Sequence, residues 1–236
     1  MTEKPSRAAV WEISYRGAGP DRLWPQDPTI EKLDLDAWSK MGVRSVLDAG
    51  CGDGKNLSYL LHKDFFVLGA DASASALQKC RSHLEKQGSR HNYILLSPTP
   101  LHHLPLLDDC LDAIVCVDVL GHVEKPLLIL HELARVLRPG GFLYASIFHV
   151  DDGCRIGPRM RAGKSPRQLW YHPSGNMDVE YYFRFYDESE AHALFESSGL
   201  VLQSLDSHHW HEPPHPGYRD EPHEHQSWFA LLQKHP

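Results

Sequence analysis

The segment Val46-Leu-Asp-Ala-Gly50-Cys-Gly52-Asp-Gly54 constrains the fold more than any other part of the chain. It leads from a short apolar run, Ser45 to Asp48, into Asn56 to His62, where Leu57, Leu60 and Leu61 recur at helical spacing. Glycines tolerate positive φ and carry no Cβ, so the backbone of such a turn can pass close to a bound molecule. Unpaired N–H groups at the head of the next helix favour a ligand there. A strand, a glycine turn and a helix in that order predict an α/β sheet with its ligand at the carboxyl ends of the strands.

The unit then repeats. Phe65 to Ala70 reads as a strand ending on Asp71, and Ser73 to Gln87 as a helix through Ala76, Leu77, Cys80 and Leu84. Tyr93 to Leu96 and Leu111 to Val117 read as strands, Pro126 to Leu137 as a helix stopped by Pro139-Gly140-Gly141, and Phe142 to Phe148 as a fifth strand. Continuous apolar strands with helices between them predict a mostly parallel sheet covered on both faces, in a doubly wound Rossmann-like fold. A helix from Glu188 to Ser197 and strands near Val201 to Leu205 and Trp228 to Leu232 close the chain. Residues 1–40 are read as an irregular leader with Trp11, Tyr15 and Trp24 among prolines and glycines, packing on the domain as a cap, with a short helix from Thr29 to Lys40. The remainder, 41–236, is read as one domain with an insert at about 150–185 that is rich in Gly, Pro and Arg.

A formal net charge of -7 argues against duplex nucleic acid as the main partner, since phosphate binding wants a basic face. Five scattered cysteines without a C-x-x-C pair disfavour both a disulfide framework and a zinc ribbon. The first residues show no signal peptide and no run approaches a membrane span, so the expectation is a cytoplasmic protein with no membrane partner.

Asp71 stands at the end of the second strand, where an acid accepts hydrogen bonds from a ribose of either a dinucleotide or an S-adenosyl cofactor. Asp48, before the glycines, separates the two. A carboxylate suits the ammonium and sulfonium of S-adenosylmethionine and repels a pyrophosphate. Asp48-x-Gly50-x-Gly52-x-Gly54, Asp71, Leu104-Pro-Leu, Leu111-Asp-Ala-Ile-Val-Cys, Val119-Leu-Gly-His-Val and Ala134-Arg-Val-Leu-Arg-Pro-Gly-Gly-Phe-Leu together resemble the motifs of class I S-adenosylmethionine-dependent methyltransferases, over roughly residues 40 to 150. The methyltransferase type 11 group is the nearer likeness, and the aromatic leader is loosely similar to tellurite-resistance and thiopurine methyltransferases.

The resemblance implies a seven-stranded sheet with an antiparallel last strand and S-adenosyl-L-methionine as cofactor. By analogy Gly50, Cys51 and Gly52 pass the methionine part, Asp71 and Ala72 hold the ribose, and Asp118 and Val119 line the pocket floor. Many relatives carry an adenine-binding acid where this chain has Thr99-Pro100-Leu101, so backbone groups and Leu101 are expected to hold the ring.

Two histidines are candidate bases: His122 after the fourth strand and His149 at the end of the fifth. His122 is alternatively pocket lining. The end of the chain is histidine-rich: His208-His209-Trp210-His211, His215, His223 and His225. With the last strand reversed, the linker near 207–226 emerges beside the cofactor. His223 and His225 share a face if extended, as two pocket walls or as two metal ligands. No accompanying cysteine motif assigns a metal, and none is expected. Trp11, Tyr15 and Tyr181 are candidate substrate contacts, and Arg155, Arg159, Arg161, Lys164 and Arg167 form either a solvated loop or an anion-recognising lid. The expected activity is methyl transfer to a small molecule; an RNA or protein methyltransferase and a non-catalytic cofactor-binding protein are the alternatives.

Overall fold

The computed structural model describes residues 7–17, 30–63, 65–88, 92–156, 159–173, 179–214 and 219–236. Five parallel strands alternate with helices along the first two thirds of the chain: β1 (Ser45–Ala49), β2 (Phe66–Ala70), β3 (Tyr93–Leu95), β4 (Leu111–Cys116) and β5 (Leu137–His149). Two strands from the end of the chain, β9 (Val201–Glu212) and β10 (His223–Gln233), complete the sheet. β10 runs antiparallel to β5, and β9 antiparallel to β10, giving the order β3-β2-β1-β4-β5-β10-β9. This is the expected sheet with its reversed last strand.

Residues on both faces of β1 and β4 are buried, as a sheet sandwiched between helices requires. The covering helices start on identifiable caps. Ser73 accepts from the Ala76 N–H at the head of α4 (Ala74–Lys86), and Asp187 and Glu190 form a capping box on α6 (Glu188–Glu196). Pro126 opens α5 (Pro126–Val136), and α3 (Lys55–Leu61) begins on Gly54 at φ 89°.

Three elements depart from the sequence reading. The leader is not irregular throughout: Arg7–Gly17 forms helix α1, which places Trp11 and Tyr15 one turn apart. Of the expected Thr29–Lys40 helix, Ile30–Lys32 is a single 3-10 turn and Leu35–Lys40 is α2, while Thr29 and Trp24 lie outside the described residues. The insert folds into a small antiparallel sheet of β6 (Met160–Ala162), β7 (Gln168–Tyr171) and β8 (Tyr181–Tyr186). β8 pairs with Phe148 and His149 of β5. Because β10 already pairs with Phe148 on one edge, β8 takes the edge that β4 leaves free beyond Cys116. The insert therefore stands over the carboxyl end of β4.

The largest correction concerns the final hairpin. Half of the expected linker near 207–226 is strand, since β9 runs on to Glu212 and β10 starts at His223. The last β10–β5 pair is Ser227 with Phe148, so everything beyond it is a two-stranded ribbon overhanging the sheet edge. Its cross-strand pairs are Trp210 with His225 and Glu212 with His223. His215 lies outside the described residues.

Candidate functional site

The turn after β1 is built by three left-handed glycines, Gly50 (φ 84°), Gly52 (φ 53°) and Gly54 (φ 89°). A Cβ on Gly50 would drive into Val119, and one on Gly52 into the Tyr15 hydroxyl. The turn is fastened to β2: Gly50 and Cys51 donate N–H to the Ala70 carbonyl at 2.7 and 3.0 Å, and Gly52 donates to Asp71 Oδ2 at 3.0 Å. Asp71 Oδ1 accepts from Ser73 N at 2.8 Å. Each oxygen keeps a further lone pair for a ligand hydroxyl.

Asp48 is buried, and its Oδ2 has no hydrogen-bond partner within the protein. An orphaned carboxylate oxygen under a glycine turn fits a cationic donor from a ligand. Burial pushes the Asp48 carboxyl up to about 7, against the pull of Lys55 and with a push from Asp71. Burial likewise raises Asp71 to about 6, held back by the N–H groups of Ser73, Gly52 and Ala72. Asp118 adopts positive φ (59°), and its carboxylate meets Lys55 Nζ at 2.6 Å while its N–H donates to Ser146 Oγ.

Two cavities open from this turn. The first runs past Asp71, Ala72, Pro100, Leu101 and Val119. Thr99 does not line it; its N–H donates to the Asp71 carbonyl and its hydroxyl to the His103 carbonyl, so it shapes the loop that carries Pro100 and Leu101. The second runs under the overhanging ribbon, past Cys51, Phe148, Phe183, Cys154, His223 and His225. Trp11, Tyr15, Gly50, Asp118 and His122 line both, so the two meet at a neck formed by these residues.

His122 sits at that neck in an aromatic cage, with ring centroids 5.1 Å from Trp11, 5.0 Å from Phe148 and 4.7 Å from Phe183. Its Nδ1 lies 2.9 Å from the Tyr182 carbonyl and must carry the proton, which leaves Nε2 as an acceptor toward the cavities. Burial lowers its pKa to about 4, so the ring is neutral near pH 7. α1 is held over the neck by Glu12, whose carboxylate accepts from Ser73 Oγ, Ser75 N and Ser75 Oγ at the head of α4.

His149 is not brought to either cavity. Successive strand residues point to opposite faces, so Phe148 faces the cavity and His149 packs against Trp228 with ring centroids 4.5 Å apart, its Nδ1 accepting from Asp151 N. Tyr181 is also set back. It packs behind Trp11 at 5.0 Å, and its hydroxyl donates to Ser14 Oγ at 2.5 Å. Among the described residues the arginines of the basic run do not line either cavity: Arg161 pairs with Glu180, Arg167 with Asp187 and Glu190, and Arg155 and Arg159 donate to the carbonyls of Val150 and Pro173. The arginine that does reach the second cavity is Arg219, stacked on Tyr171. Cys154 and Glu212, neither of them singled out in the sequence, also line it, together with Trp210 of the histidine-rich segment. Burial raises the Cys154 thiol to about 11, with His225 and Arg219 pulling the other way.

A methyltransferase domain model matches residues 47–145. A ubiquinone biosynthesis O-methyltransferase of Thiobacillus denitrificans is 30% identical over 197 residues, covering 82% of each chain. Methyltransferase GfsG of Streptomyces halstedii is 35% identical over 114 residues, 48% of this chain and 39% of that protein. Among solved structures, the 1,6-didemethyltoxoflavin N1-methyltransferase of Burkholderia thailandensis, with its substrate and S-adenosylhomocysteine bound, superposes with a TM-score of 0.65 at 17% identity, over 100% of this chain and 94% of that one. The sheet order, the glycine turn with its two acids and these likenesses agree: the chain belongs to the class I methyltransferases that use S-adenosylmethionine.

Proposed function

We propose that the chain methylates a small-molecule acceptor held in the cavity beneath the β9–β10 ribbon. The observation that carries this reading is the shared neck. The cleft passing Asp71 and Leu101 and the cavity under the ribbon meet at Trp11, Tyr15, Asp118 and His122. In this reading Asp48 takes the cofactor ammonium, Asp71 the ribose hydroxyls, and Ala72, Pro100 and Leu101 the adenosine, while Gly50, Cys51, Gly52 and Val119 shape the floor. Bound S-adenosylmethionine supplies an electrophilic methyl on a sulfonium.

The protein's own work is positional. α1 and the insert keep water from the neck, and His122 Nε2 accepts a hydrogen bond from the acceptor X–H, turning its lone pair toward the methyl carbon. Methylation would free the acceptor's proton, which His122 Nε2 would take and pass to solvent. A neutral imidazole with a pKa near 4 is a weak base, so the acceptor must be a good nucleophile or an acidic X–H. Trp11, Tyr15, His223 and His225 wall the acceptor, and α1 of the leader acts as the cap.

The relatives' names favour a small acceptor, since the Thiobacillus denitrificans protein is an O-methyltransferase of ubiquinone biosynthesis and the Burkholderia thailandensis enzyme binds 1,6-didemethyltoxoflavin. Incubating the chain with tritiated-methyl S-adenosylmethionine and a cell extract, then separating by size, tests it. Label in the small-molecule fraction is expected. Label confined to protein or RNA would replace this reading with the macromolecular one.

A further inference from the structure

The overhanging ribbon presents more than pocket walls. His223 and His225 lie at alternate positions of β10, and Glu212 and Trp210 oppose them on β9, so all four side chains share one face. A turn (Gly153–Arg155) packs beneath that face and adds Cys154. Gly153 permits the approach, because a Cβ there would come within 2.8 Å of the Glu224 carbonyl.

Both imidazoles have their outer nitrogen committed. His223 Nδ1 donates to the Glu221 carbonyl at 3.1 Å, and His225 Nδ1 donates to Asp152 Oδ2 at 3.1 Å. The two Nε2 atoms face each other at 3.1 Å. Glu212 Oε2 is 3.6 Å from the first and 3.4 Å from the second. Three such atoms facing one another need a proton or a metal cation between them. The three separations place a point about 2.0 Å from all three corners, the length of a Zn–N or Zn–O bond.

Cys154 Sγ lies 3.5 Å from His225 Nε2, close to the N···S edge of roughly 3.5 Å in a tetrahedral zinc site. It is also 3.4 Å from Nδ1, and ligand atoms of Cys154, His223 and His225 all lie within 4.8 Å of one another. The supporting shell is in place as well. Asp152 orients His225, Trp210 Nε1 donates to Glu212 Oε1 at 3.1 Å, and Arg219 Nη1 donates to Sγ at 2.9 Å.

We infer that His223, His225, Glu212 and Cys154 form a binding site for a zinc-class divalent cation in the wall of the cavity under the ribbon. Two imidazoles, a carboxylate and a thiolate match a dication in charge and suit zinc or cobalt, whereas magnesium and calcium favour all-oxygen sets. The site stands independently of the acceptor reading, because metal binding is measured without methyl transfer.

The test is a titration of the full-length, tag-free protein with Co2+, followed by displacement with Zn2+. One equivalent is expected, with a near-ultraviolet thiolate-to-cobalt charge-transfer band and the intense visible bands of four-coordinate cobalt. Cys154→Ser should abolish the charge-transfer band, His223→Ala should weaken Co2+ binding at least a hundredfold, and Asp152→Asn should weaken it about 10- to 100-fold. S-adenosylhomocysteine binding by each variant reports that its fold is intact, and if Cys154→Ser fails that control the His223→Ala result decides. Less than a tenth of an equivalent bound by the wild type in excess Co2+ would overturn the inference. So would stoichiometric binding that His223→Ala leaves unchanged, which would assign the metal to other surface histidines.

Discussion

In the proposed reading Asp48 makes cofactor affinity a function of pH, and the size of the effect follows from its surroundings. Its carboxyl is held at about 7 by burial, and Asp71 at about 6. Both must be ionised to receive a cationic ligand with ribose hydroxyls, so protons are released on binding and affinity rises with pH. At pH 6 roughly a tenth of Asp48 and half of Asp71 are ionised; at pH 7.5 the fractions are about three quarters and nearly all. The product of these changes predicts S-adenosylmethionine binding about 15-fold tighter at pH 7.5 than at pH 6. Asp48→Asn removes the larger factor and leaves about a twofold dependence through Asp71. It also removes a charge-assisted bond, costing about 1.5–3 kcal/mol at pH 7.5, or roughly 10- to 150-fold in affinity. Isothermal titration in buffers of different ionisation enthalpy measures affinity and proton release together. A flat profile in the wild type, or an Asp48→Asn variant with unchanged affinity and slope, would refute the role assigned to Asp48.

Three further outcomes follow from the same geometry. Gly52→Ala forces an L side chain to φ 53° and a methyl into the Tyr15 hydroxyl, so S-adenosylhomocysteine affinity should fall more than tenfold by calorimetry, with about 1–2 kcal/mol lost in denaturant unfolding. His122→Phe keeps the aromatic packing but loses the bond to the Tyr182 carbonyl and the inward acceptor; steady-state assays with the identified acceptor should show turnover down about 10- to 100-fold and cofactor affinity within about threefold. Glu12 is opposed by burial, yet hydrogen bonds from Ser75 and Ser73 hold its carboxyl at about 2. Its contribution to docking α1 is complete above the unfolded value of 4.5 and lost as pH falls from there through 2, so Glu12→Gln should raise hydrogen exchange in α1 most at pH 7, less at pH 3 and little below pH 2.

The parallel core was legible because each of its elements carries a local signature. Helical spacing marked α3, α4 and α5, and unbroken apolar runs marked β1, β2 and β4. What was misread lies where local signals conflict or contacts are distant. The helical register of Val10, Trp11, Ser14 and Tyr15 was overshadowed by the prolines and glycines that follow. The aromatic run Tyr181 to Tyr186 had strand propensity, but its place over β4 depends on the edge that β4 leaves open. The far ends of β9 and β10 form a ribbon with no sheet beneath it, so they carry polar residues where a strand reading looks for apolar ones. His149 faces away because of its parity with Phe148, which no motif encodes. Cys154 meets His225 across a separation of 71 residues, and only the fold brings them together.

A crystal structure with S-adenosylhomocysteine bound tests the account most directly. The sulfur is predicted at the neck between the two cavities, beside Trp11, Asp118 and His122, with the ammonium on Asp48, the ribose on Asp71 and the sulfur's open side facing the cavity under the ribbon. A sulfur turned away from that cavity, or an ammonium that leaves Asp48 Oδ2 without a partner, would contradict it.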